Sequence, residues 1–595
     1  MPRAALLPRL MLLSALLLLL PLVARAQTAR DPEHSDALRH VARVTADHAM
    51  VVTANPYATQ AALEMLRSGG NAVDAAATAE WVLNVVEPES SGLGGGGFAV
   101  VYAAKSGEVA ALDGRETAPA GVTPQLFLGP DGKPIRFYPE RITGGRAVGV
   151  PGVLAMLALA LERYGTRSLA ETLQPAIHLA EQGFPVSPRL AASLHRQRER
   201  LAHFAATRAV FFDHRPGHEG ETLPAGTLLR QPELAKAFRL IAAQGPDAFY
   251  RGPIGKALVA AVRDSPVAPG VMTAADLAGY RARLRPPVRT AWHGYTLYGM
   301  GPPSSGATTI FELLNLLATQ PLAKGGPLSA PAVHHFVQAA RLAYADRARY
   351  LGDPDFVPVP TAGLVDPAYA AERARSIVWD APLGPVHAGT PPGVRSARAW
   401  APQRADTESH STTHLSIADA QGNLVSMTNT VEQAFGSGMV VPGWGFFLNN
   451  ELTDFAAEPR DAEGRLRANA VAPGKRPRSS MAPTLVFRGH KPVLVIGSPG
   501  GSRIIQFVAE VIVRVLDYGM SLQDAIEAPH ATMGGHSTDL EPPLAETALP
   551  AALERLGHHV RIQAQASGLH GIRFDAQGRL HGGADPRREG VAAGY

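Results

Sequence analysis

Residues 408–430 have the sequence ESHSTTHLSIADAQGNLVSMTNT and mark the point where the pattern of the chain changes from mixed helix and strand to mostly strand. Alternating apolar and polar residues predict strands over 413–419 and 423–430, joined by a turn at 420–422. The preceding segment, 385–410, is rich in Pro, Arg, Ala and Gly without a period, and this composition predicts an exposed loop. A hairpin is therefore expected to begin where an unpatterned loop ends.

Thr412 is a candidate nucleophile at this junction. A threonine hydroxyl attacks poorly until a base takes its proton, and the α-amine of the same residue can serve once the peptide bond before it is broken. That amine has a reference pKa near 8, so a useful fraction is unprotonated at neutral pH. The bond between Ser411 and Thr412 is thus a candidate site of self-cleavage. The local pattern leaves open the alternative of an ordinary strand start with hydroxyl residues.

His410 and His414 raise the question of a metal site, because histidines four residues apart share a face on a helix. Their neighbours favour a strand instead, in which a rise of about 3.3 Å per residue separates the two imidazoles by roughly 13 Å. That distance is too long for one shared ion. We expect neither a metal nor a cofactor.

Other segments carry clear helix and strand patterns. Helices are predicted over residues 57–67, 152–164, 310–317 and 503–518, the last with Ser502 as its N-cap, and strands over 98–103, 483–487 and 492–497.

A glycine-rich turn, GSPGGS at residues 497–502, lies between the last of these strands and the last helix. Its N–H groups could hold a phosphate or an oxyanion. The Lys and Ser/Thr that complete a phosphate-binding P-loop are missing after the glycines, so the sequence disfavours nucleotide binding. Donors for a tetrahedral acyl intermediate agree better with the sequence, while a tight turn without a ligand stays open.

Charged and hydroxyl side chains offer candidate contacts for a zwitterionic substrate. Arg115 follows a strand-like segment, and an arginine fork is a usual partner for a carboxylate. Ser479 and Ser480 could donate to the same carboxylate. Glu451 and Asp454 are three residues apart and could both reach one ammonium group. Each of these side chains, taken alone, is equally compatible with an exposed surface position.

The N-terminus indicates export. Arg3 and Arg9 precede an apolar run, and Ala24-Arg25-Ala26 provides a small-residue cleavage site, so residues 1–26 are predicted to be a signal peptide. We expect a periplasmic or secreted bacterial protein. The chain has no cysteine, which excludes disulfides and a cysteine nucleophile. The formal charge of +4 falls to +1 without the three arginines of this segment, so nothing indicates nucleic-acid binding.

An ordered series of segments resembles the γ-glutamyltransferase (glutathione hydrolase) family across nearly the whole mature chain. The matching segments are 69–75, 94–98, 113–119, 302–306, 344–354, 412–423, 446–455, 473–483, 497–504 and 590–595. The resemblance implies the N-terminal-nucleophile fold, a four-layer αββα sandwich. It also implies a heterodimer cut from one precursor, with a large chain of residues 27–411 and a small chain of residues 412–595 that together form one core.

The resemblance also implies a role for each candidate residue. Thr412 would be the nucleophile and Thr430 its hydrogen-bond partner, while the N–H groups of Gly500 and Gly501 would form the oxyanion hole. The α-carboxylate of a γ-glutamyl donor such as glutathione would bind Arg115, Ser479 and Ser480. Its α-ammonium would bind Glu451 and Asp454.

Two departures from the family pattern concern the acceptor, which is water, an amino acid or a peptide. Glu432 stands where well-known members carry Asn, which places an extra carboxylate beside the ammonium site. The segment 456–478 is short and contains no Tyr, whereas some bacterial members cover the site with a tyrosine-bearing lid. We expect a more open site in which hydrolysis exceeds transfer.

Two alternative functions stay open. A cephalosporin (glutaryl) acylase-like amidase would leave the carboxylates of Glu432, Glu451 and Asp454 without a cation. An exported γ-glutamyl-binding protein that has lost catalysis would not require Thr412 or the glycine pair.

Overall fold

The computed structural model describes residues 41–378, 381, 384–394, 400–403 and 411–595. The predicted signal peptide at 1–26, His410 and parts of the predicted loop 385–410 lie outside the described residues.

The described α-helices belong mainly to the part of the chain before residue 411. They are α1 (Pro56–Arg67), α2 (Ala72–Val86), α3 (Val153–Tyr164), α4 (Leu169–Gln182), α5 (Pro188–Leu201), α6 (Ala205–Phe211), α7 (Pro232–Gln244), α8 (Asp247–Tyr250), α9 (Pro253–Arg263), α10 (Ala274–Gly279), α11 (Gly306–Leu317), α12 (Ala330–Tyr350), α13 (Thr361–Leu364), α14 (Pro367–Ala374), α15 (Ile504–Leu516), α16 (Leu522–Glu527) and α17 (Leu549–Arg555).

The strands form two large antiparallel sheets and two small ones. They are β1 (Val44–Ala46), β2 (Met50–Thr53), β3 (Gly96–Ala103), β4 (Glu108–Gly114), β5 (Phe184–Pro185), β6 (Leu228–Leu229), β7 (Arg283–Arg285), β8 (Val288–Trp292), β9 (Tyr295–Gly299), β10 (Ser411–Ala418), β11 (Leu424–Glu432), β12 (Thr484–Arg488), β13 (Lys491–Gly497), β14 (Ala531–Met533), β15 (Thr538–Leu540), β16 (Val560–Ile562), β17 (His570–Phe574), β18 (Leu580–Ala584) and β19 (Val591–Gly594). The first seven-stranded sheet has the order β1-β18-β17-β13-β12-β9-β8, and the second β19-β2-β10-β11-β3-β4-β7.

Alternation along the strands sorts side chains into layers. Val51 of β2 joins the core formed with α1 to α4, whereas Met50 and Val52 join the core that holds the other sheet together with α11, α12 and α15. The two sheets also meet through polar contacts, since Ser426 Oγ donates to the Ile496 carbonyl over 3.0 Å. The layer order is therefore helix, sheet, sheet, helix, as expected for the predicted αββα sandwich.

The hairpin of β10 and β11 is anchored to the outer helix layer at its turn. Asp419 Oδ2 accepts a 2.9 Å hydrogen bond from the N–H of Ala72, in the first turn of α2, where an anionic side chain is favoured. Asn71 and Asp74 form a reciprocal capping box at the same helix end. This contact fixes the far end of the strand that starts at Ser411.

The two halves of the chain share the second sheet. The hairpin β10–β11 lies between β2 and β3, so strands that follow residue 411 are flanked on both sides by strands that precede it. The predicted division at 411/412 thus runs through one continuous sheet. Whether the chain is cut there stays a prediction.

The predicted helices and strands are all present with ends shifted by a few residues, but the N-cap prediction was wrong. The helix predicted over 503–518 spans Ile504–Leu516 and follows a short 3₁₀ turn at Gly501–Arg503, so Arg503 precedes it and no side chain caps it. Gly500 and Gly501 have φ of +130° and +58°. Their left-handed backbone tightens the entry to the helix and leaves Ser502 inside the 3₁₀ turn rather than before the helix.

Within the described ranges, none of the helices is both long and apolar enough to cross a bilayer.

The shared sheet generates a testable prediction about the mature protein. Purified protein should consist of two chains, 27–411 and 412–595, that run as one particle under native conditions and separate only on denaturation, because each chain completes the other's sheet. Intact mass spectrometry together with native and denaturing gels measures this. A single uncut chain with full activity would contradict it.

Candidate active site

Thr412 sits at the head of an inner strand, held by a relay of hydroxyl groups. Its Oγ1 donates to Thr430 Oγ1 over 3.0 Å, and Thr430 Oγ1 in turn donates to the Ser411 carbonyl over 2.7 Å. The N–H of Glu432 donates to the same Thr430 oxygen over 2.9 Å. A hydroxyl has one proton and two lone pairs, so all of the hydrogen-bonding capacity of Thr430 is used.

The relay depends on the register of the hairpin. Thr412 lies opposite Thr430, and an irregularity between Ser411 and Thr412 shifts Ser411 to face Glu432. Such bulges redirect a side chain or a carbonyl without ending the strand pair. Here the bulge presents the carbonyl before Thr412 to the hydroxyl of Thr430. The candidate cleavage bond and the candidate nucleophile thus share one hydrogen-bond partner.

Arg115 leaves the end of β4 and is fully buried. Its Nη1 is ion-paired with Glu451 and its Nη2 with Asp454, both of which lie in a 3₁₀ turn at Glu451–Asp454. Its Nε also donates to the Pro477 carbonyl over 3.1 Å. The structure therefore brings together the predicted carboxylate-binding and ammonium-binding side chains, and in this state they neutralise one another.

Too many carboxyl groups surround this arginine for all of them to be ionised. Glu116 lies 3.8 Å from Arg115 and is fully buried, with neither carboxyl oxygen hydrogen-bonded. Burial first, and then the neighbouring acids, hold the pKa of Glu116 and Glu432 well above the usual value. Burial likewise raises the pKa of Glu451 to about 8, although Arg115 opposes the shift. Arg115 alone does not balance Glu116, Glu451 and Asp454, although Arg347 and Arg478 also line the cleft.

Glu432, the departure from the family pattern, lines the same cleft. It is a non-glycine residue with φ of +81°, a backbone conformation that side chains disfavour. The side-chain amide of Asn450 donates to its carboxyl group. The extra carboxylate is thus held in place beside Glu451 and Asp454.

Ser479 and Ser480 lie in the loop that leads to β12 and line the same cleft as Arg115 and Thr412. The N–H of Ser305 donates to the Ser479 carbonyl over 2.7 Å. Ser480 Oγ accepts a 2.8 Å hydrogen bond from Nη2 of Arg347, whose Nε donates to Ser305 Oγ over 2.8 Å. Arg347 therefore orients one of the predicted carboxylate-binding serines.

The oxyanion turn follows β13. Gly501 lines the cleft with Thr412, and Gly500 directly precedes it. A Cβ at Gly500 would lie 2.6 Å from the ring of Phe507, so a side chain there would force the turn to move. The shape of the turn therefore depends on these glycines, while the oxyanion hole formed by their N–H groups stays a prediction.

One open cleft with an empty volume of about 470 Å³ collects nearly all the candidates. Its lining residues are Arg115, Arg347, Thr412, Thr430, Glu432, Glu451, Asp454, Arg478, Ser479, Ser480, Met481, Gly501, Ser502 and Ile504. Of the short, tyrosine-free segment 456–478, Arg478 is the one residue among them. No three His, Asp or Glu side chains are grouped to hold a metal ion in the described part of the chain.

Arg347, Arg588 and Asn450 are site residues that sequence reasoning missed. Arg347 belongs to α12, and Arg588 donates from Nη1 to the Thr412 carbonyl over 3.0 Å from a turn near the C-terminus. Both come from elements far along the chain from the residues they contact. Their only sequence signal was that they lie in or next to segments that match the family.

Comparisons with known proteins extend this picture. The gamma-glutamyltranspeptidase family model matches residues 58–595. The glutathione hydrolase proenzyme of Bacillus subtilis strain 168 is 40% identical over 588 residues, which cover 98% of this chain and 97% of that protein. The glutathione hydrolase proenzyme of Escherichia coli K12 is 38% identical, with 93% of each chain covered. The acylase ACY 1 proenzyme of Pseudomonas sp. strain SE83 is 37% identical over 91% of this chain and 92% of that protein.

A solved structure of similar architecture is the cephalosporin acylase from Bacillus halodurans. It superposes with a TM-score of 0.80 at 27% identity, covering 95% of this chain and 99% of that chain. The layered core and these likenesses define an N-terminal-nucleophile hydrolase, which confirms the predicted fold class. The chain belongs to the γ-glutamyltranspeptidase family and is an enzyme of the γ-glutamyl hydrolase/transferase class, as the resemblance implied.

The hydroxyl relay generates a prediction. Thr430→Val removes the hydroxyl at nearly constant volume. It should slow cleavage at 411/412 and lower kcat, each by about tenfold or more. The reason is that the buried hydrogen bonds from this hydroxyl to both reacting groups are lost. Thr430→Ser, which keeps the hydroxyl, is the matched control. Time courses of precursor cleavage and steady-state kinetics measure the two effects. Normal cleavage and turnover in Thr430→Val would exclude the relay.

Proposed function

We propose that this enzyme cuts its own chain before Thr412 and then cleaves γ-glutamyl amides, glutathione among them, through a γ-glutamyl ester of Thr412. The relay that links Thr412, Thr430 and the Ser411 carbonyl is the observation that carries the proposal. The family membership supports the reaction class. The curated relatives named glutathione hydrolase proenzyme support both the donor and the processed heterodimer.

Self-cleavage follows from the position of the relay. Thr412 Oγ attacks the carbonyl carbon of Ser411, while the Thr430 hydroxyl, already donating to that carbonyl oxygen, stabilises the charge that develops there. The C–N bond breaks, the hydroxyl proton passes to the departing nitrogen, and an ester forms. Water then hydrolyses the ester, which leaves a carboxylate on Ser411 and a free amine and hydroxyl on Thr412.

The same groups carry the reaction with a donor. The free amine of Thr412 takes the proton of its own hydroxyl, and Oγ attacks the γ-carbonyl carbon. The N–H groups of Gly500 and Gly501 stabilise the oxyanion, and the leaving amine departs with the proton. Attack by water on the ester gives glutamate, and attack by an amino acid or peptide amine gives a new γ-glutamyl amide.

Recognition of the donor rests on the charges beside Arg115. In the proposal the α-carboxylate of the donor contacts Arg115, Ser479 and Ser480, and the α-ammonium contacts Glu451, Asp454 and Glu432. The pKa of Glu451 is raised to about 8 and that of Glu432 is held well above its usual value, so protonation of these carboxyls competes with ammonium binding, which favours their ionised forms. Donor binding therefore releases protons and strengthens as pH rises toward 8.

The same charges favour this function over a glutaryl acylase, the second candidate. Relatives named acylase share the fold and much of the sequence. A glutaryl group has no α-amine, however, so its carboxylate would compete with Glu451 and Asp454 for Arg115 without bringing a cation to those acids or to Glu432. A binding protein without catalysis is disfavoured because the relay at Thr412 serves no purpose in binding alone.

We also propose that hydrolysis exceeds transfer. The cleft is lined by Asp454 and Arg478 but by no described residue between 456 and 477, so water has access to the ester. An acceptor amine must lose its proton before attack, and the buried carboxyl of Glu432 favours the protonated amine.

Export is a further proposal. It is supported by the charged start, apolar run and small-residue cleavage site of residues 1–26. It predicts a mature N-terminus at residue 27.

The nucleophile assignment predicts how two substitutions differ. Thr412→Ala should stay uncut and inactive because one hydroxyl serves both steps, while Thr412→Ser should retain part of each. Denaturing gels and release of p-nitroaniline from γ-glutamyl-p-nitroanilide measure cleavage and turnover. If Thr412→Ala is still cut at 411, another residue is the nucleophile.

The balance between acceptors predicts the effect of Glu432. With a γ-glutamyl donor and excess glycylglycine at pH 7, the wild type should yield mostly free glutamate, and Glu432→Asn should raise the share of γ-glutamyl-glycylglycine severalfold, because the acceptor amine loses its proton more readily. Glu463→Gln, which removes a charge from an exposed side chain of the segment 456–478, is the matched control. Mostly transfer product from the wild type would refute this proposal.

A further inference from the structure

Strand β10 extends beyond the end of its neighbour β2. It pairs with β11 over its whole length, but with β2 only at Ser416–Ala418. The described structure therefore gives residues 411–415 no strand partner on the β2 side. The turn between β18 and β19 fills this place, since β19 starts with Val591 opposite Thr53, the last residue of β2.

Arg588 projects from this turn to the open edge of β10. It is 4% exposed, and its Nη1 donates to the Thr412 carbonyl over 3.0 Å while its Nε donates to the Ser567 carbonyl over 3.2 Å. Asp585 fixes the turn, because it accepts 2.6 Å and 3.0 Å hydrogen bonds from Ser567 Oγ and from the N–H of Arg587. The guanidinium group is thus held from two sides as it contacts the nucleophile residue.

The geometry of a strand places the nitrogen of Thr412 on the same edge. In an extended chain the N–H and C=O of one residue point to the same side of the strand. The nitrogen that becomes the free amine therefore lies on the edge where Arg588 meets the carbonyl. Before cleavage this nitrogen is an uncharged amide, and afterwards it is a titratable amine.

We propose that Arg588 is a positioning residue for the N-terminal nucleophile: it holds Thr412 by its carbonyl after the chain is cut and favours the unprotonated form of the new amine. The inference rests on the proposed role of Thr412. A chain end frays unless it is tied down. Thr430 ties the side chain of Thr412 and Arg588 ties its backbone, so the amine stays within reach of its own Oγ.

Other charges near this edge come from the loop after α2, from α5, from the turn itself and from β11. Glu87 and Glu89 are ion-paired with Arg189 at 2.5 Å and 2.9 Å, and burial raises the pKa of Glu89 to about 8. Glu589 accepts a 3.4 Å hydrogen bond from the N–H of Arg189. On the other side, burial keeps the pKa of Glu432 well above its usual value.

Glu87 is the carboxylate that most directly opposes Arg588. It lies 3.9 Å from the guanidinium, and its other oxygen accepts a 2.9 Å hydrogen bond from Thr413 Oγ1. Arg588 nevertheless contacts Thr412 itself, whereas Glu87 is shared between Arg189, Thr413 and Arg588. A cation bound to the carbonyl of the same residue lowers the pKa of its amine, and this effect decides the sign of the expected shift.

The test measures kcat against pH for γ-glutamyl-p-nitroanilide hydrolysis by the processed heterodimer. Arg588→Met should lower kcat by about tenfold or more and move the acid limb of the profile up by about one pH unit, since the hydrogen bond and the cation are both lost. Arg588→Lys should lower kcat severalfold but leave the acid limb in place, because the charge is kept. Arg579→Met, at an exposed arginine of the same chain, should change neither.

Distinct outcomes would overturn the proposal. A reduced kcat with an unmoved acid limb in Arg588→Met would show a purely structural role, and unchanged kcat would show none. If Arg588→Met is not processed, Arg588→Lys carries the test, and a shifted acid limb or a wild-type kcat in that variant contradicts the proposal. Failure of the nucleophile assignment is recognised separately, by cleavage or activity in Thr412→Ala.

Discussion

The pairing of β10 with β11 is the constraint on which the site depends. The register that places Thr412 opposite Thr430 also places the Ser411 carbonyl within 2.7 Å of the Thr430 hydroxyl. A slip of one residue would turn both threonine side chains to the other face of the sheet, away from the cleft. The register is secured at the other end of the hairpin by Asp419 and the N-terminus of α2. Catalytic geometry here is a consequence of strand register.

Burial without enough counter-charge is the second physical theme of the cleft. Arg115 is fully buried and contacts Glu451 and Asp454, while Glu116 and Glu432 lie close by. Removing a carboxylate from water is costly unless it is paired, and burial accordingly raises the pKa of Glu116, Glu432 and Glu451. In the proposed binding mode, the α-ammonium of a donor supplies the counter-charge that these acids lack beside Arg115.

The local parts of this architecture could be predicted from the sequence and the long-range parts could not. The hairpin and the helix at 504–516 follow from periodicity and turn residues, whereas the grouping of Thr412 with Arg115 in one cleft was implied by the family resemblance alone. The N-cap at Ser502 was predicted wrongly because two glycines with positive φ insert a 3₁₀ turn before the helix. Arg588 was missed because its contact with Thr412 joins residues that only the order of strands in the sheet brings together.

The placement of the hairpin between β2 and β3 gives the scissile bond a role in assembly. While the bond is intact, the two halves associate within one molecule. Their effective concentration is then higher than independent chains reach in dilute solution. Once it is cut, reassembly after unfolding becomes a second-order reaction between chains that each expose unpaired strand edges, a state prone to aggregation. The lifetime of the folded mature enzyme is then set by its unfolding rate rather than by its equilibrium free energy of unfolding. The proposed cleavage would thus replace refolding within one molecule by reassembly of two chains.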